Sequence, residues 1–299
     1  EARRLHRLTS SVLGGVIPAD AFGAGKPDAL IADAMLPPQP IDPWIHDGAV
    51  YRWSFDEGAG SVVSNSAVGD PAALSTDGLL SGAAFATDPD RRTSFLAFDR
   101  GLDGSAVDSV DIEHDIQIDG SALSLSAWFR AGGLAPAIDD APEEVCRILA
   151  GNVQPCVLVA KAKTGEDWSL WMANVQLSTE PEAPANWRFY FNLKTDAGSV
   201  SADTDSANLE LADWHHLAAT YDGAEMKVYV NGVTKPADWA YQSGDLVISS
   251  NPVEIGAREH WAVGNSTSIN GFYGLIDDVR IWNRALLDHE VLELISSTP

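Results

Sequence analysis

The stretch that decides the fold is GFYGLIDDVRIW, residues 271–282. It is almost continuously apolar, which predicts a central strand of a β-sandwich. Asp277 and Asp278 interrupt the apolar run. Because burying an unpaired carboxylate is costly, at least one of the two must meet an opposite charge, several hydrogen-bond donors or a metal ion.

A short helix is predicted immediately after this strand. Asp288 is a suitable N-cap, and residues 289–295 follow it with helical character. The apolar side chains able to pack onto the rest of the protein are Val291, Leu292 and Ile295.

Upstream of this strand the sequence is all-β. From Trp44 onward, short apolar runs recur between Gly, Asp and Asn turns, and Asp222-Gly223 and Asn231-Gly232 predict tight type I′ hairpin turns. No helix-period segment precedes the C-terminus, which excludes parallel βαβ folds, so we expect a two-sheet antiparallel jelly roll. The predicted strands are residues 49–55, 83–85, 95–98, 110–112, 121–130, 156–163, 168–173, 187–193, 214–221, 227–230, 252–255 and 271–282.

Four stretches, in this order, resemble the laminin-G-like, concanavalin A-like jelly rolls. They are YRWSFDEG at 51–58 (the opening strand), LSLSAWFR at 123–130 (the first core strand), WHHLAATYDG at 214–223 with KVYVNG at 227–232 (the central hairpin), and GLIDDVRIWNRAL at 274–286 (the closing strand). The resemblance covers most of residues 44–295. The family contains lectins, adhesion modules, enzyme appendages and glucanases, so it implies the fold more than the function.

Composition limits the organisation and the partners of the chain. Residues 1–43 are rich in Pro, Gly and Ala, which predicts an extended arm or linker, whereas residues 44–299 form the predicted jelly roll. The net charge of −24 argues against nucleic acid and anionic membrane surfaces, and it suits a divalent cation, a cationic partner or a salty environment. No stretch is long and apolar enough to span a membrane. The sequence begins at Glu1, and we interpret it as a mature or excised segment, which is compatible with a removed export signal.

The two cysteines lie close together in sequence. Cys146 and Cys156 flank a short segment at the end of a predicted insertion, residues 131–155, which also carries four acidic residues. A disulfide is expected between them, which implies an oxidising, extracytoplasmic compartment; two free buried thiols are the alternative.

The resemblance implies a structural calcium site. Related jelly-roll glucanases hold calcium between the opening and closing strands, and the matching positions here are Asp277 on the closing strand and Asp56 and Glu57 on the opening one. Calcium prefers six to eight oxygen ligands, which clustered carboxylates and turn carbonyls supply. The alternative is that Asp277 or Asp278 pairs with an arginine such as Arg280 and that no metal binds.

Strand alternation predicts a ligand groove of polar and aromatic side chains. Such a surface suits glycans, because sugar rings stack on aromatic faces and sugar hydroxyls bond to planar polar groups. The alternative for each aromatic residue is a place in the core. The predicted groove residues are Trp128, Arg130, Trp171, Arg188, Tyr190 and Asn192, with Trp239, Tyr241, His260 and Trp261 as secondary candidates.

The sequence argues against glucanase catalysis. A retaining glucanase needs two carboxylates beside the scissile bond. The closest match to the family's catalytic strand is SVDIE at 109–113, where Ser109 replaces the expected nucleophilic Glu and only Asp111 and Glu113 remain. His215 and His216 are adjacent in a predicted strand, so they point to opposite faces and do not readily chelate one ion.

These observations favour a non-catalytic binding module for a glycan or glycoprotein, with a structural calcium ion. A protein–protein docking or adhesion domain of a larger secreted or surface assembly is the alternative, and a polysaccharide hydrolase or lyase is a third.

Overall fold

The structure is a computed structural model, and it describes residues 48–67, 76–87, 93–99, 108–112, 118, 120–132, 147–149, 152–153, 155–162, 166–175, 186–207, 209, 212–247, 249–258, 261–262, 267–268 and 271–296. The chain divides into two units, Glu1–Pro43 and Trp44–Pro299. All described residues belong to the second unit, so the predicted arm at 1–43 lies outside them. Glu113, Cys146 and His260 also lie outside the described residues.

The described residues form twenty strands and one α-helix. In chain order the strands are Tyr51–Trp53 (β1), Val62–Val63 (β2), Gly78–Ser81 (β3), Ala84–Thr87 (β4), Ser94–Phe98 (β5), Ser109–Ile112 (β6), Leu123–Ala131 (β7), Arg147–Leu149 (β8), Asn152–Val153 (β9), Cys156–Ala162 (β10), Glu166–Val175 (β11), Asn186–Thr195 (β12), Gly198–Ala207 (β13), His215–Tyr221 (β14), Glu225–Val230 (β15), Ala240–Tyr241 (β16), Val253–Ile255 (β17), Trp261–Ala262 (β18), Thr267–Ser268 (β19) and Gly274–Trp282 (β20). The helix α1 spans Asp288–Ser296. Within the described part of the chain, no helix is long and apolar enough to cross a membrane.

Two large sheets pack face to face. The eight-stranded sheet has the order β16-β15-β14-β7-β20-β5-β4, with β1 also paired to β20. The ten-stranded sheet has the order β13-β12-β11-β10-β17-β6-β3-β2, with β8 beside β11 and β9 beside β8. Apart from the parallel pairing of β8 with β11, the described pairings are antiparallel. The predicted two-sheet antiparallel jelly roll is confirmed.

The core lies between the two sheets and is built by strand alternation. On β7, Leu125 and Phe129 point into it, and on β12 Phe189 and Phe191 do the same from the facing sheet. The rings of Phe129 and Phe189 meet at a centroid distance of 5.6 Å. Side chains of the opposite parity on each strand therefore lie on the outer faces of the sandwich.

The strand β20 contains a β-bulge at its acidic pair. Asp277 lies opposite Trp128 and Arg280 lies opposite Ser126, so two residues of β20 face one residue of β7 between those pairs. Asp278 has a φ of +48° at this point, a region that Asp adopts more readily than most residues. The extra residue directs Val279 into the core while both Asp277 and Arg280 remain on the outer face.

Two arginines neutralise Asp278 in the bulge. Arg52 Nε and Arg280 Nε each donate to Asp278 Oδ1 at 2.9 Å, and Arg280 Nη2 donates to Oδ2. Arg52 on β1 lies directly opposite Arg280. Burial raises the pKa of Asp278, but the charges and hydrogen bonds of Arg280 and Arg52 outweigh it and hold that pKa below its usual value. The sequence required that Asp277 or Asp278 meet an opposite charge, several donors or a metal ion. Asp278 meets two opposite charges.

Asn231 and Gly232 form the turn on which helix α1 packs. Both residues have positive φ, as a type I′ turn requires. A Cβ atom on Gly232 would come within 2.6 Å of Leu292 Cδ2, so the side chains of the helix lie directly against this turn. At the Asp222-Gly223 hairpin only Gly223 has positive φ, so that turn forms but the expectation of a type I′ geometry there was wrong.

Helix α1 covers part of the outer face of the eight-stranded sheet. Val291 and Leu294 are buried there against Tyr229 and Trp282. Tyr229 also donates a hydrogen bond of 2.7 Å to Asp288, the first residue of the helix.

The predicted packing face of helix α1 needs one correction. Leu292 was expected to pack inward but is 52% exposed, and Leu294 is buried instead. The helix begins at Asp288. Val291 and Leu294 thus form the buried face of the helix.

Replacing Asp278 with Asn should lower the free energy of unfolding by about 3 kcal/mol, because removing one partner from a buried ion pair leaves uncompensated charge behind. Asn also tolerates positive φ, so backbone strain would not explain the loss. Urea unfolding at pH 7 measures the change. The matched control is Glu225→Gln, which removes the partly exposed 3.2 Å ion pair with Lys227 and should cost less than about 1 kcal/mol. Equal losses in the two variants would contradict the role assigned to Asp278.

Candidate functional site

The outer face of the ten-stranded sheet carries four of the six predicted groove residues. On β12, Trp187, Phe189, Phe191 and Leu193 belong to the core, as the alternation predicts. Arg188, Tyr190 and Asn192 therefore lie on the outer face, and all three are partly exposed. On β11, Trp171 alternates with the core residues Leu170 and Met172 and lies on the same outer face.

Trp171 and Tyr190 form the centre of this surface. They lie directly opposite each other on β11 and β12. Their rings stack in parallel, with centroids 3.9 Å apart and planes inclined by 9°. Burial raises the pKa of the Tyr190 hydroxyl, and the nearby Asp203 carboxylate adds to the increase. The hydroxyl therefore stays protonated at neutral pH.

Two hydrogen-bonded polar pairs flank the stack across β12 and β13. Arg188 Nη1 donates to Asp203 Oδ2 at 2.7 Å, and both side chains are about one-third exposed. Ser201 Oγ donates to Asn192 Oδ1 at 2.7 Å. We call the set Trp171, Arg188, Tyr190, Asn192, Ser201 and Asp203 the Trp171–Tyr190 surface.

Two N–H groups of this surface have spare donor capacity. Trp171 Nε1 and Arg188 Nε have no hydrogen-bond acceptor among the residues that the structure describes. Buried N–H groups are normally paired, so an acceptor that reached them after a small side-chain shift would gain a favourable interaction.

Asp203 and Ser201 were not identified from the sequence. Both lie on β13, which contains too few apolar residues to be recognised by an apolar run. The available signal was alternation of polar residues in Ser199, Ser201 and Asp203, which share the outer face with their partners on β12.

A cavity of about 240 Å³ continues the surface toward the β12–β13 turn. Its polar lining residues are Asn192, Lys194, Ser199 and Ser201. Because Leu193 packs in the core, Lys194 and Ser199 share the outer face with Asn192 and Ser201.

Trp128 and Arg130 do not join this surface, which corrects the predicted six-residue groove. Both lie on β7 in the eight-stranded sheet, on the opposite side of the sandwich. Trp128 is only 7% exposed and contacts His216 edge-to-face at 5.2 Å. Alternation assigns each residue to a face of its own strand, but it does not tell which sheet receives the strand.

The three predicted calcium ligands occupy different environments. Asp277 is fully buried, whereas Asp56 and Glu57 are exposed. Glu57 accepts a hydrogen bond of 2.7 Å from the Ser64 amide. Among the described residues, no group of three or more His, Cys, Asp or Glu side chains is placed to hold a metal ion. Calcium binding stays a prediction.

Two of the three residues considered for catalysis, Ser109 and Asp111, lie on one face of a strand, whereas Glu113 lies outside the described residues. On β6, Ser109 Oγ donates to Asp111 Oδ1 at 2.8 Å. Asp111 lies opposite Glu254 of β17 on the outer face of the ten-stranded sheet. The serine at the expected nucleophile position thus donates a hydrogen bond to the neighbouring carboxylate.

His215 and His216 point to opposite faces, as expected. His215 contacts the core residue Phe129 at 5.7 Å, and Asn231 Nδ2 lies 3.0 Å from its Nδ1. His216 is 1% exposed on the outer face of the eight-stranded sheet. Burial, reinforced by the positive charge of Arg280, lowers the pKa of His216 to about 3.

The secondary candidates lie elsewhere. Trp239 donates from Nε1 to Thr234 Oγ1 at 3.0 Å, and the Lys227 ammonium lies 4.5 Å from its ring. Tyr241 is 69% exposed on β16, at the edge of the eight-stranded sheet. The side chain of Trp261 lies outside the described residues.

Cys156 is fully buried at the start of β10 and is not a free thiol. Its expected partner, Cys146, lies outside the described residues, so the pairing stays a prediction.

Residues 103–292 match the profile of the laminin-G type family described as the concanavalin A-like lectin/glucanases superfamily. The chain belongs to this superfamily. The family match covers the first core strand, the central hairpin and the closing strand.

Curated relatives include pappalysin-1 of Mus musculus, with 26% identity over 181 residues, and pappalysin-1 of Homo sapiens, with 24% identity. These alignments cover 60% of this chain but only 10% of either pappalysin-1.

Solved structures with a similar fold include two toxin domains. The binding domain of paraclostridial mosquitocidal protein 1 has a TM-score of 0.55 and 16% identity, over 85% of this chain and 53% of that chain. The botulinum neurotoxin type G receptor binding domain has a TM-score of 0.52 and 14% identity, over 83% of this chain and 51% of that chain. These similarities support the sandwich fold.

Stability should fall between pH 7 and pH 5 because of His216. Its pKa is lower in the folded protein than in the unfolded chain, so the unfolded chain binds a proton first as the pH drops below about 6.5. The expected loss in the free energy of unfolding is about 2 kcal/mol over this interval. Urea unfolding at both pH values measures it.

His216→Phe should remove most of this pH dependence, whereas His289→Gln, at an exposed position in helix α1, should keep it. A His216→Phe variant with the full pH dependence would refute the assignment.

Proposed function

We propose that this chain is a non-catalytic, extracytoplasmic binding module for a glycan or glycoprotein, and that the ligand binds on the Trp171–Tyr190 surface. The observation that carries the proposal is the partly exposed, parallel Trp171–Tyr190 stack between two hydrogen-bonded polar pairs. The superfamily to which the chain belongs includes lectins by its description.

The chemistry of this surface matches that of a sugar. A sugar ring has apolar C–H faces that pack on aromatic rings, and hydroxyls that need planar donors and acceptors. The Arg188–Asp203 and Asn192–Ser201 pairs supply those groups beside the rings. Because the side chains are already held by one another, little side-chain entropy is lost when a ligand binds.

Calcium is proposed as a structural ion, with Asp277 as the firmest ligand. The support is the resemblance of the opening and closing strands to those of calcium-binding jelly-roll glucanases, together with the net charge of −24. Carboxylate oxygens are ligands that calcium prefers.

A non-catalytic role is favoured by the strand β6. Ser109 stands where a retaining glucanase would need its nucleophilic carboxylate, and a serine does not form the glycosyl ester intermediate in that role.

A protein-docking role is the alternative. The described fold is shared by solved domains named as receptor-binding and binding domains of toxins, and loop-rich acidic sandwiches can equally recognise a protein. Glycan affinity separates the two proposals.

Trp171→Ala and Tyr190→Ala should each reduce glycan affinity at least tenfold without unfolding the domain, because each removes half of the stacking platform. The measurement is a glycan and polysaccharide binding screen, followed by isothermal titration. It is run with calcium and again with EDTA to test whether the ion supports binding.

The matched control is Tyr241→Ala, which removes an exposed aromatic side chain from the other sheet and should leave affinity unchanged. No glycan binding in either condition, combined with capture of a protein ligand, would favour the docking alternative. An equal loss of glycan affinity in Tyr241→Ala and Trp171→Ala would refute the assignment of the binding site to the Trp171–Tyr190 surface.

A disulfide between Cys146 and Cys156 is proposed. It agrees with the proposed extracytoplasmic location, because disulfides persist in oxidising compartments. Intact mass should increase by about two hydrogen masses on reduction, since reduction adds one hydrogen to each sulfur. Two thiols that react with an alkylating agent in the unreduced, unfolded protein would refute the bridge.

A further inference from the structure

We infer that the Trp171–Tyr190 surface takes an extended, uncharged saccharide chain lying along β12 and β13, not a single sugar residue. The inference rests on the proposed function and specifies its ligand class. It adds Lys194 and Ser199, at the β12–β13 end of the surface, to the contact residues.

The contact groups are spread along the strand direction. Tyr190, Asn192 and Lys194 alternate along the outer face of β12, and their partners Asp203, Ser201 and Ser199 follow the same line on β13. At 3.2–3.4 Å per residue, Tyr190 and Lys194 are about 13 Å apart. This separation exceeds the length of one pyranose ring, so one sugar residue would not contact both ends.

The two ends of the line offer different chemistry. One end is the aromatic stack, which suits the apolar face of a ring. The other end is the cavity of about 240 Å³ lined by Asn192, Leu193, Lys194, Ser199, Val200 and Ser201, whose polar members offer hydroxyl, amide and ammonium groups. A ligand that uses both must be a chain of linked sugars.

The charge around this line disfavours an acidic polysaccharide. The positive charge of Arg188 is compensated by Asp203 at 2.7 Å. Lys194 lies close to the buried Asp167, and the β12–β13 turn that follows carries Asp196.

The whole chain carries a net charge of −24. A polyanion approaching this face would be repelled, whereas an uncharged chain would not.

Linear uncharged oligosaccharides (gluco-, xylo- and galacto-configured) of one to six units test the length requirement by isothermal titration at low and high salt. An oligogalacturonate of matched length tests the charge requirement. Affinity for the preferred uncharged series should rise about tenfold or more from one unit to four and then level off, with little salt dependence. The oligogalacturonate should bind more weakly.

Ser199→Tyr places a large side chain in the cavity. It should reduce the affinity for the four-unit oligosaccharide to nearly the affinity for the single sugar. The matched control is Ser61→Tyr, the same change at an exposed serine at the other end of the ten-stranded sheet, and it should bind like the unmodified protein. Folding of both variants is checked by thermal unfolding.

Two results would overturn the inference while leaving the proposed function intact. One is equal affinity for one unit and for four, and the other is tighter, salt-dependent binding of the oligogalacturonate. Absence of binding to every saccharide would overturn the proposed function itself.

Discussion

The buried ion pair between Asp278 and its two arginines is the interaction on which the sandwich depends. It lies in β20, which pairs with β7, β5 and β1 and so joins the middle of the eight-stranded sheet. An unpaired carboxylate at this depth would cost several kcal/mol, and Arg52 and Arg280 offset that cost where β1 and β20 are buried together. The bulge at Asp278 lets the strand carry charges on its outer face and still place Val279 in the core.

The position of the binding surface follows from the alternation of side chains along the strands of the ten-stranded sheet. The core face of β12 contains Trp187, Phe189, Phe191 and Leu193, and burying this row fixes the orientation of the strand. A slip of one residue would bury Arg188 and expose the aromatic row, which is energetically prohibitive. The hydrophobic core therefore determines that Tyr190 and Asn192 reach the solvent, and the β11 register then places Trp171 against Tyr190.

Much of this arrangement could be predicted from the sequence, and the reasons for the exceptions are physical. Long apolar runs such as β20 and strict alternation such as β12 identify a strand and its faces, because burial strongly constrains those residues. The strand β13 was not recognised, because a strand at the edge of its sheet needs few apolar residues and is rich in Ser and Asp. The grouping of Trp128 with Tyr190 failed because sheet membership depends on long-range pairing, which local patterns do not encode. The bulge at Asp278 was not predicted either, since it arises from the register between β20 and β7.

The most direct test of the account is whether the ligand reaches Trp171 and not Trp128. The indole N–H signals of the ten tryptophans can be followed by two-dimensional NMR during titration with a saccharide from the binding screen, and the two signals can be assigned with Trp171→Phe and Trp128→Phe. The account predicts that the Trp171 signal shifts in proportion to saturation, because its ring lies on the binding surface, while the Trp128 signal stays in place on the far side of the sandwich. A saturable shift of Trp128 with an unchanged Trp171 would place the site on the eight-stranded sheet and contradict the account.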